Sequence, residues 1–420
     1  MDERGKRPYY FDTEDGRTVK KGEENFERYA YHQANKPVRE QTEATGHAVR
    51  AVYLYSGMAD VARLTEDEDL LKACDTLWDN ITKKRMYVTG GIGSTHEGEA
   101  FTFDYDLPND TAYSETCAAI GLCFFGRRML EMKPDRKYSD ICERALYNAV
   151  LSGMALDGKS FFYVNPLEVN PEACLKDSRK FHVKHVRQKW FGCACCPPNI
   201  ARLIRSIPMY AYTENENTLF AHLYIGGRVN KKFKDGNVEF EIISGFPWNG
   251  DVKIKASGNS VKGTLALRVP GWSKETPIIN GAVEKDGYLY ITRDWKDDEI
   301  TLSFPMETKI LMANTRVRED AGKLCVMRGP IVYCLEEIDN GKDLQTLLLE
   351  TDKPIFDAEM EIGGVKMTAL KASGLRVKSS KETDDLYMEY SSVEADPVTL
   401  TFVPYYAWNN RGEGEMTVWV

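Results

Sequence analysis

A multidomain α + β chain, with paired helices first and β-sandwich units after them, is the fold class this 420-residue sequence predicts. Three observations predict it. Apolar residues recur at helical spacing as far as about residue 215. Beyond that point they alternate in short runs of period two. Gly, Asn and Asp clusters such as Asn280-Gly281 and Asp286-Gly287 separate those runs at the even intervals of a β-sandwich. The expected division is 1–215 helical, 216–317 a first sandwich and 318–420 a second.

Within the helical part, Thr42–Leu64 places Ala44, Ala48, Ala51, Val52, Tyr55 and Met58 on one face, and Glu66–Lys84 follows after a short break. A second pair is predicted over Thr111–Met132 and Asp135–Met154, divided by Lys133-Pro134-Asp135. Pro198 suits the first turn of a further helix, Asn199–Tyr212. Antiparallel pairs joined by long loops fit an α/α toroid, with a plain bundle as the alternative. Strands are expected at Thr218–Ile225, Val238–Ile243, Val252–Ala256, Gly263–Val269, Tyr288–Ile291, Ile300–Phe304, Lys309–Met312, Lys323–Val326 and Pro330–Leu335. Val398–Phe402 and Met416–Val420 are expected to close the sheet.

The formal charge of −9 argues against a nucleic-acid or anionic-membrane surface, and no run of about 20 apolar residues marks a membrane span. The polar opening MDERGKRPYYFDTEDG does not read as an export signal, so a reducing, cytoplasmic setting is expected. Five of the ten cysteines, Cys74, Cys123, Cys142, Cys325 and Cys334, then read as buried small hydrophobes.

Cys193-Ala194-Cys195-Cys196-Pro197-Pro198-Asn199 is different. Thiolates this close repel unless a cation neutralises them, and a soft divalent ion such as zinc does so well. Glu115 and Cys117, two residues apart upstream, complete a set of one Glu and three Cys. Adjacent Cys195 and Cys196 can share one ion only in a bent segment, and Pro197 is expected to keep Cys196 out of a helix. Glu99 follows the glycine-rich loop Thr89-Gly90-Gly91-Ile92-Gly93-Ser94, and Phe101 and Phe103 are candidates for an apolar wall that would raise its pKa. Glu97 is its rival two residues away. His47 and Tyr163 can hydrogen-bond a sugar hydroxyl or serve structure alone. His182 and His185 read as part of a solvated basic face rather than a metal pair.

At these residues the chain resembles the bacterial β-L-arabinofuranosidases of glycoside hydrolase family 127. The matching segments are Tyr87–Ser94, Gly98–Phe101, Asp106–Cys117, Cys193–Asn199 and Val403–Trp408, with Glu-Thr-Cys and Cys-Cys-Pro-Pro-Asn about eighty residues apart. The resemblance implies an (α/α)6 barrel followed by β-sandwich domains. It implies zinc held by Glu115, Cys117, Cys195 and Cys196, with Cys195 also the nucleophile. Glu99 matches the general acid/base, and His47 and Tyr163 match sugar-contacting residues. The implied activity is retaining release of L-arabinofuranose from β-linked oligosaccharides or glycoconjugates.

Family members extend well ahead of the point that matches His47, so only part of the barrel is expected here. The apolar faces left open are expected to draw the chain into a homo-oligomer or onto a separate N-terminal polypeptide. The alternatives are a partner-dependent carbohydrate-binding subunit with a structural zinc, and a glycosidase acting on another sugar.

Overall fold

The structure, a computed structural model, describes residues 1–5, 26–378, 386–387 and 394–420. The part of the polar opening from residue 6 to 25 lies outside the described residues. Paired helices come first and β-rich units follow, as the periodicity predicts.

Helix α1, Ala48–Thr65, turns back into α2, Glu68–Lys84, through Glu66 in the left-handed region and Asp67, whose side chain accepts from the Leu70 amide at 2.8 Å. The predicted start at Thr42 is too early. Gly46 has φ +69, and a Cβ there would stand 2.3 Å from the Tyr31 carbonyl oxygen. Residues Gly46–His47 (β1) instead pair with Ala100–Phe101 (β2).

The helix predicted from Thr111 begins at Thr116 (α3, Thr116–Met132), because Ser114 at φ +40 leaves helical geometry. Helix α3 is the centre of this half. Gly121 sits where a Cβ would meet Val52 of α1 at 2.4 Å, and Gly126 where one would meet Cys142 at 2.5 Å. Small residues here let the helices approach closely.

The predicted Asp135–Met154 helix is broken. Helix α4 covers Arg136–Ala145, a π-turn covers Leu146–Val150, and a 3-10 turn ends it at Gly153. Asn148 supplies the reason: its side chain donates to the Pro330 carbonyl (2.9 Å) and accepts from the Val332 amide (2.8 Å), drawing the turn toward a strand edge. The last long helix, α5, is Cys196–Arg205, and a separate short turn, Pro208–Ala211, follows.

The middle unit is two facing antiparallel-rich sheets. One holds Val283–Lys285, Tyr288–Trp295, Val261–Arg268, Thr218–Ala221 and Tyr212–Glu214; the other holds Asp298–Ser303, Asp251–Gly258, Gly236–Ser244 and Gly227–Phe233. Phe233, Phe240, Leu265, Trp295 and Leu302 close the core between them. The strand expected to run to Ile225 stops at Ala221.

The C-terminal unit is a nine-stranded sheet whose backbone path runs from Thr308–Met312 through Leu324–Arg328, Ile331–Glu336 and Ala395–Pro404 to Val365–Val377 and Leu347–Leu349. Met416–Thr417 pairs with both Glu336 and Glu168–Val169, which stitches the helical half into this sheet. The predicted terminal strand to Val420 is regular only to Thr417, although Val420 and Leu324 exchange backbone hydrogen bonds of 2.7 and 2.9 Å. Among the described residues no helix is long and apolar enough to cross a membrane.

Candidate functional site

Two helix N-termini converge on the cysteine-rich segment. Glu115 is the residue before the first turn of α3 and Cys117 lies within that turn; Cys195 precedes α5 and Cys196 opens it. Unpaired amides and the positive ends of both helix dipoles therefore favour negative charge there. The expectation that Pro197 would hold Cys196 outside a helix is not met: Cys195 is already helical at φ −73, ψ −38. Pro197 and Pro198 sit in the first turn, where no backbone donor is needed.

The ligating atoms of Glu115, Cys117, Cys195 and Cys196 all lie within 4.8 Å of one another, so this set can hold a metal ion. Cys117 Sγ is 3.4 Å from Cys196 Sγ, and Cys195 Sγ is 3.7 Å from Cys196 Sγ. Glu115 Oε1 is 3.5 Å from the Cys195 sulfur and 3.7 Å from that of Cys196. Glu115 Oε2 is buried and has no hydrogen-bond partner. Burial, together with the charges of Cys195 and Glu99, raises Glu115 to about 8. Hydrogen bonds with Cys117 and Cys196, aided by Tyr163, lower the Cys195 thiol from the ordinary range.

The segment before α3 is fixed from both sides. The Ser114 amide donates to the Gly93 carbonyl at 2.8 Å and the Thr116 amide to the Tyr163 carbonyl at 3.0 Å. Asn165 donates to the Ser114 carbonyl and to Thr116 Oγ1. The glycine-rich loop thus acts as packing beneath Glu115. Tyr163, beside the isolated Glu115–Val164 bridge, places its hydroxyl 3.0 Å from Cys195 Sγ and 3.9 Å from Cys193 Sγ.

His47 and Glu99 are brought together by the β1–β2 ladder, in which His47 faces Ala100. His47 Nδ1 accepts from the Arg50 amide at 3.4 Å, which leaves the proton on Nε2, 3.1 Å from Glu99 Oε2. Glu99 has φ +54, a conformation that carries strain in a residue with a Cβ. The expected apolar wall is absent. Phe103 is 69% exposed, and Glu99 is held by His47 and Tyr113, whose hydrogen bonds keep its carboxyl below the ordinary range despite partial burial. Glu97, the rival carboxylate, is exposed and does not line the cavity.

One cavity of about 540 Å³ is bordered by His47, Glu99, Glu115, Cys117, Tyr163 and Cys195. Every site residue predicted from sequence except Cys196 therefore lines it, and Cys196 lies directly beneath with no exposed surface. Tyr53, Asn199 and Arg202 form a further wall that sequence reasoning missed; Arg202 donates to Asn199 Oδ1 at 2.6 Å and to the Tyr53 hydroxyl at 2.8 Å. Asn199 stands inside the cysteine motif, a signal that could have marked it. His182 and His185 are elsewhere: His182 is hydrogen-bonded to the Thr111 carbonyl and His185 faces Glu413.

Three family descriptions match the chain in order. They are the β-L-arabinofuranosidase GH127 catalytic domain over residues 4–209, the GH127 middle domain over 218–306 and the glycoside hydrolase family 127 C-terminal domain over 308–420. A non-reducing end β-L-arabinofuranosidase of Bifidobacterium longum subsp. longum is 43% identical, covering 94% of this chain and 62% of its own length. The chain thus spans about three-fifths of that curated relative.

The crystal structure of a GH127 β-L-arabinofuranosidase from Geobacillus stearothermophilus T6 superposes with a TM-score of 0.93 at 49% identity, covering 100% of this chain and 67% of that one. A second solved GH127 β-arabinofuranosidase gives 0.86 at 38% identity, covering 100% of this chain and 64% of that one. With all three family descriptions matched in order, and nearly half of its residues identical to those of a solved member, the chain belongs to glycoside hydrolase family 127.

Proposed function

We propose that this chain carries the catalytic centre of a retaining glycoside hydrolase that releases L-arabinofuranose from β-L-arabinofuranosyl oligosaccharides or glycoconjugates. Cys195 is its nucleophile, Glu99 its acid/base, and Glu115, Cys117, Cys195 and Cys196 its zinc ligands. The observation that carries the reading is the four-atom cluster on the floor of the cavity. A tetrahedral zinc with Zn–S near 2.3 Å and Zn–O near 2.1 Å requires ligand–ligand edges of about 3.6–3.8 Å. The sulfur and oxygen separations of 3.4–3.7 Å fit those edges. The unpartnered Glu115 Oε2 fits a carboxylate whose natural neighbour is a cation.

When bound, zinc would neutralise the crowded anions and keep the Cys195 sulfur deprotonated at neutral pH. The chain's own residues do the rest. Cys195 attacks the anomeric carbon, forming a C–S bond as the glycosidic C–O bond breaks. Glu99 must carry the proton that reaches the leaving oxygen, and His47 Nε2–H orients its carboxyl. Glu99, then a carboxylate, takes a proton from water as the water oxygen attacks the same carbon and the sulfur departs as thiolate. Two inversions give retention. The Tyr163 hydroxyl, 3.0 Å from the sulfur, steadies it between the two steps.

The test is metal analysis and turnover on one preparation, using a chromogenic β-L-arabinofuranoside. About one zinc per chain, with release of the β-anomer of L-arabinofuranose as first product, is expected. An inverted first product would sink the double displacement. Stoichiometric zinc with no turnover would favour the structural-zinc subunit, and turnover of a different sugar alone would move the specificity.

A further inference from the structure

We propose that a second cavity, where all three parts of the chain meet, binds a small oxyanion through Arg144 and Lys309. The cavity, of about 400 Å³, lies between α2, α4, the Gly271-Trp272 turn of the middle unit and the strand residues Leu311 and Met327 of the C-terminal unit. It shares no lining residue with the cavity above the cysteines.

The charge pattern of its wall is unequal. The carboxylates are already engaged. Asp140 accepts from Arg268 at 2.6 Å and from the Gly271 amide at 3.2 Å. Glu143 is paired with Arg268 and accepts from Trp272 Nε1 at 2.9 Å. Asp79 is paired with Lys83 at 2.7 Å, and Lys137 with Asp75 at 2.7 Å. Two cations are left over. Lys309 Nζ donates to the Trp272 carbonyl and has no carboxylate partner among the described residues. The part-exposed Arg144 side chain makes neither a hydrogen bond nor an ion pair among them, and desolvation weighs against its charge.

An unpaired guanidinium has a planar fork that suits a carboxylate or phosphate. An anion entering the cavity would restore what the wall withholds. The ring of Trp272 beside the charged pair offers an apolar face, so an acidic sugar and inorganic phosphate share the required chemistry.

Isothermal titration of the full chain, at ionic strength held constant with sodium chloride, tests this with two probes, inorganic phosphate and glucuronate. Saturable one-site binding of either is expected, weakened at least tenfold in Arg144→Gln and in Lys309→Gln, with metal content unchanged. Binding of glucuronate alone would assign the site to an acidic sugar; binding of both would assign it to the oxyanion itself. No saturable binding of either probe, or binding unaltered in both variants, overturns the proposal. Should Arg144→Gln fail to fold, Lys309→Gln decides alone.

Discussion

Cys193 and Cys196 are three residues apart in sequence and have opposite surroundings. Cys193 is exposed, near the Tyr163 hydroxyl; Cys196 has no exposed surface and lies within 3.7 Å of both Cys195 and Glu115. Cys196→Ser should therefore lose the metal, and Cys193→Ser should keep it, as elemental analysis of the two purified variants will read. Equal loss in both would put Cys193 in the ligand set. Glu99→Gln is expected to retain metal but to lose turnover by about 10²–10⁴ on substrates with poor leaving groups, and far less on activated ones. Comparable losses on both substrate types would remove Glu99 from the acid role. The cluster of Glu115, Cys117, Cys195 and Cys196 was legible in sequence because thiols so dense have few other uses. The surroundings of Glu99 were not, since His47 reaches it only through a two-residue ladder between distant segments.

Helices and strands were legible where one face alone is buried, and misread where tertiary contacts override the local pattern. The Asp251–Gly258 strand alternates strongly and extends a little beyond its predicted span, while Val261–Arg268 starts two residues before the predicted Gly263 and ends one before Val269. Gly227–Phe233 was missed because its alternation is set in the charged run Arg228, Lys231 and Lys232. The π-turn after α4 answers to Asn148 and a strand nearly two hundred residues later, which no local window contains. Glycines separate the two influences and can be tested. Gly90 has φ +81, and a Cβ there would stand 2.6 Å from the Ala145 Cα, so Gly90→Ala should destabilise by about 2–4 kcal/mol. Gly57 lies in α1 with nothing within 4 Å of its missing Cβ, so Gly57→Ala should stabilise by about 0.5–1 kcal/mol. Chemical denaturation of both variants checks the pair; a matching sign would show that helix propensity and close packing are not separable here.

At the scale of the whole molecule, buried charges join the helical half to the sheets. Arg268 of the middle unit has no exposed surface and pairs with Asp140 and Glu143 of α4. Arg268→Met should cost about 3–5 kcal/mol by stranding Glu143, and Glu143→Gln in the same chain should recover part of it. A loss below 1 kcal/mol in the single variant would mean that water reaches the pair.

The C-terminal unit is tied in by Asp320, which is 7% exposed and accepts from Asn109 Nδ2 at 2.8 Å. Burial raises its carboxyl from 3.8 to about 6. The folded state thus holds this proton more tightly than the unfolded chain does. The resulting stabilisation is complete below the unfolded value near 3.8 and is lost as pH rises through about 6. At neutral pH the buried carboxylate is a burden on the order of 3 kcal/mol relative to the protonated form. Asparagine keeps an acceptor for Asn109 and cannot ionise. Asp320→Asn should therefore melt higher than the parent at pH 7.5, and the gap should close as pH is lowered from 6 toward 4.5. A gap that stays constant with pH, or a variant less stable at pH 7.5, would show that the Asp320 charge is compensated in the fold, with nearby Lys323 the first group to examine.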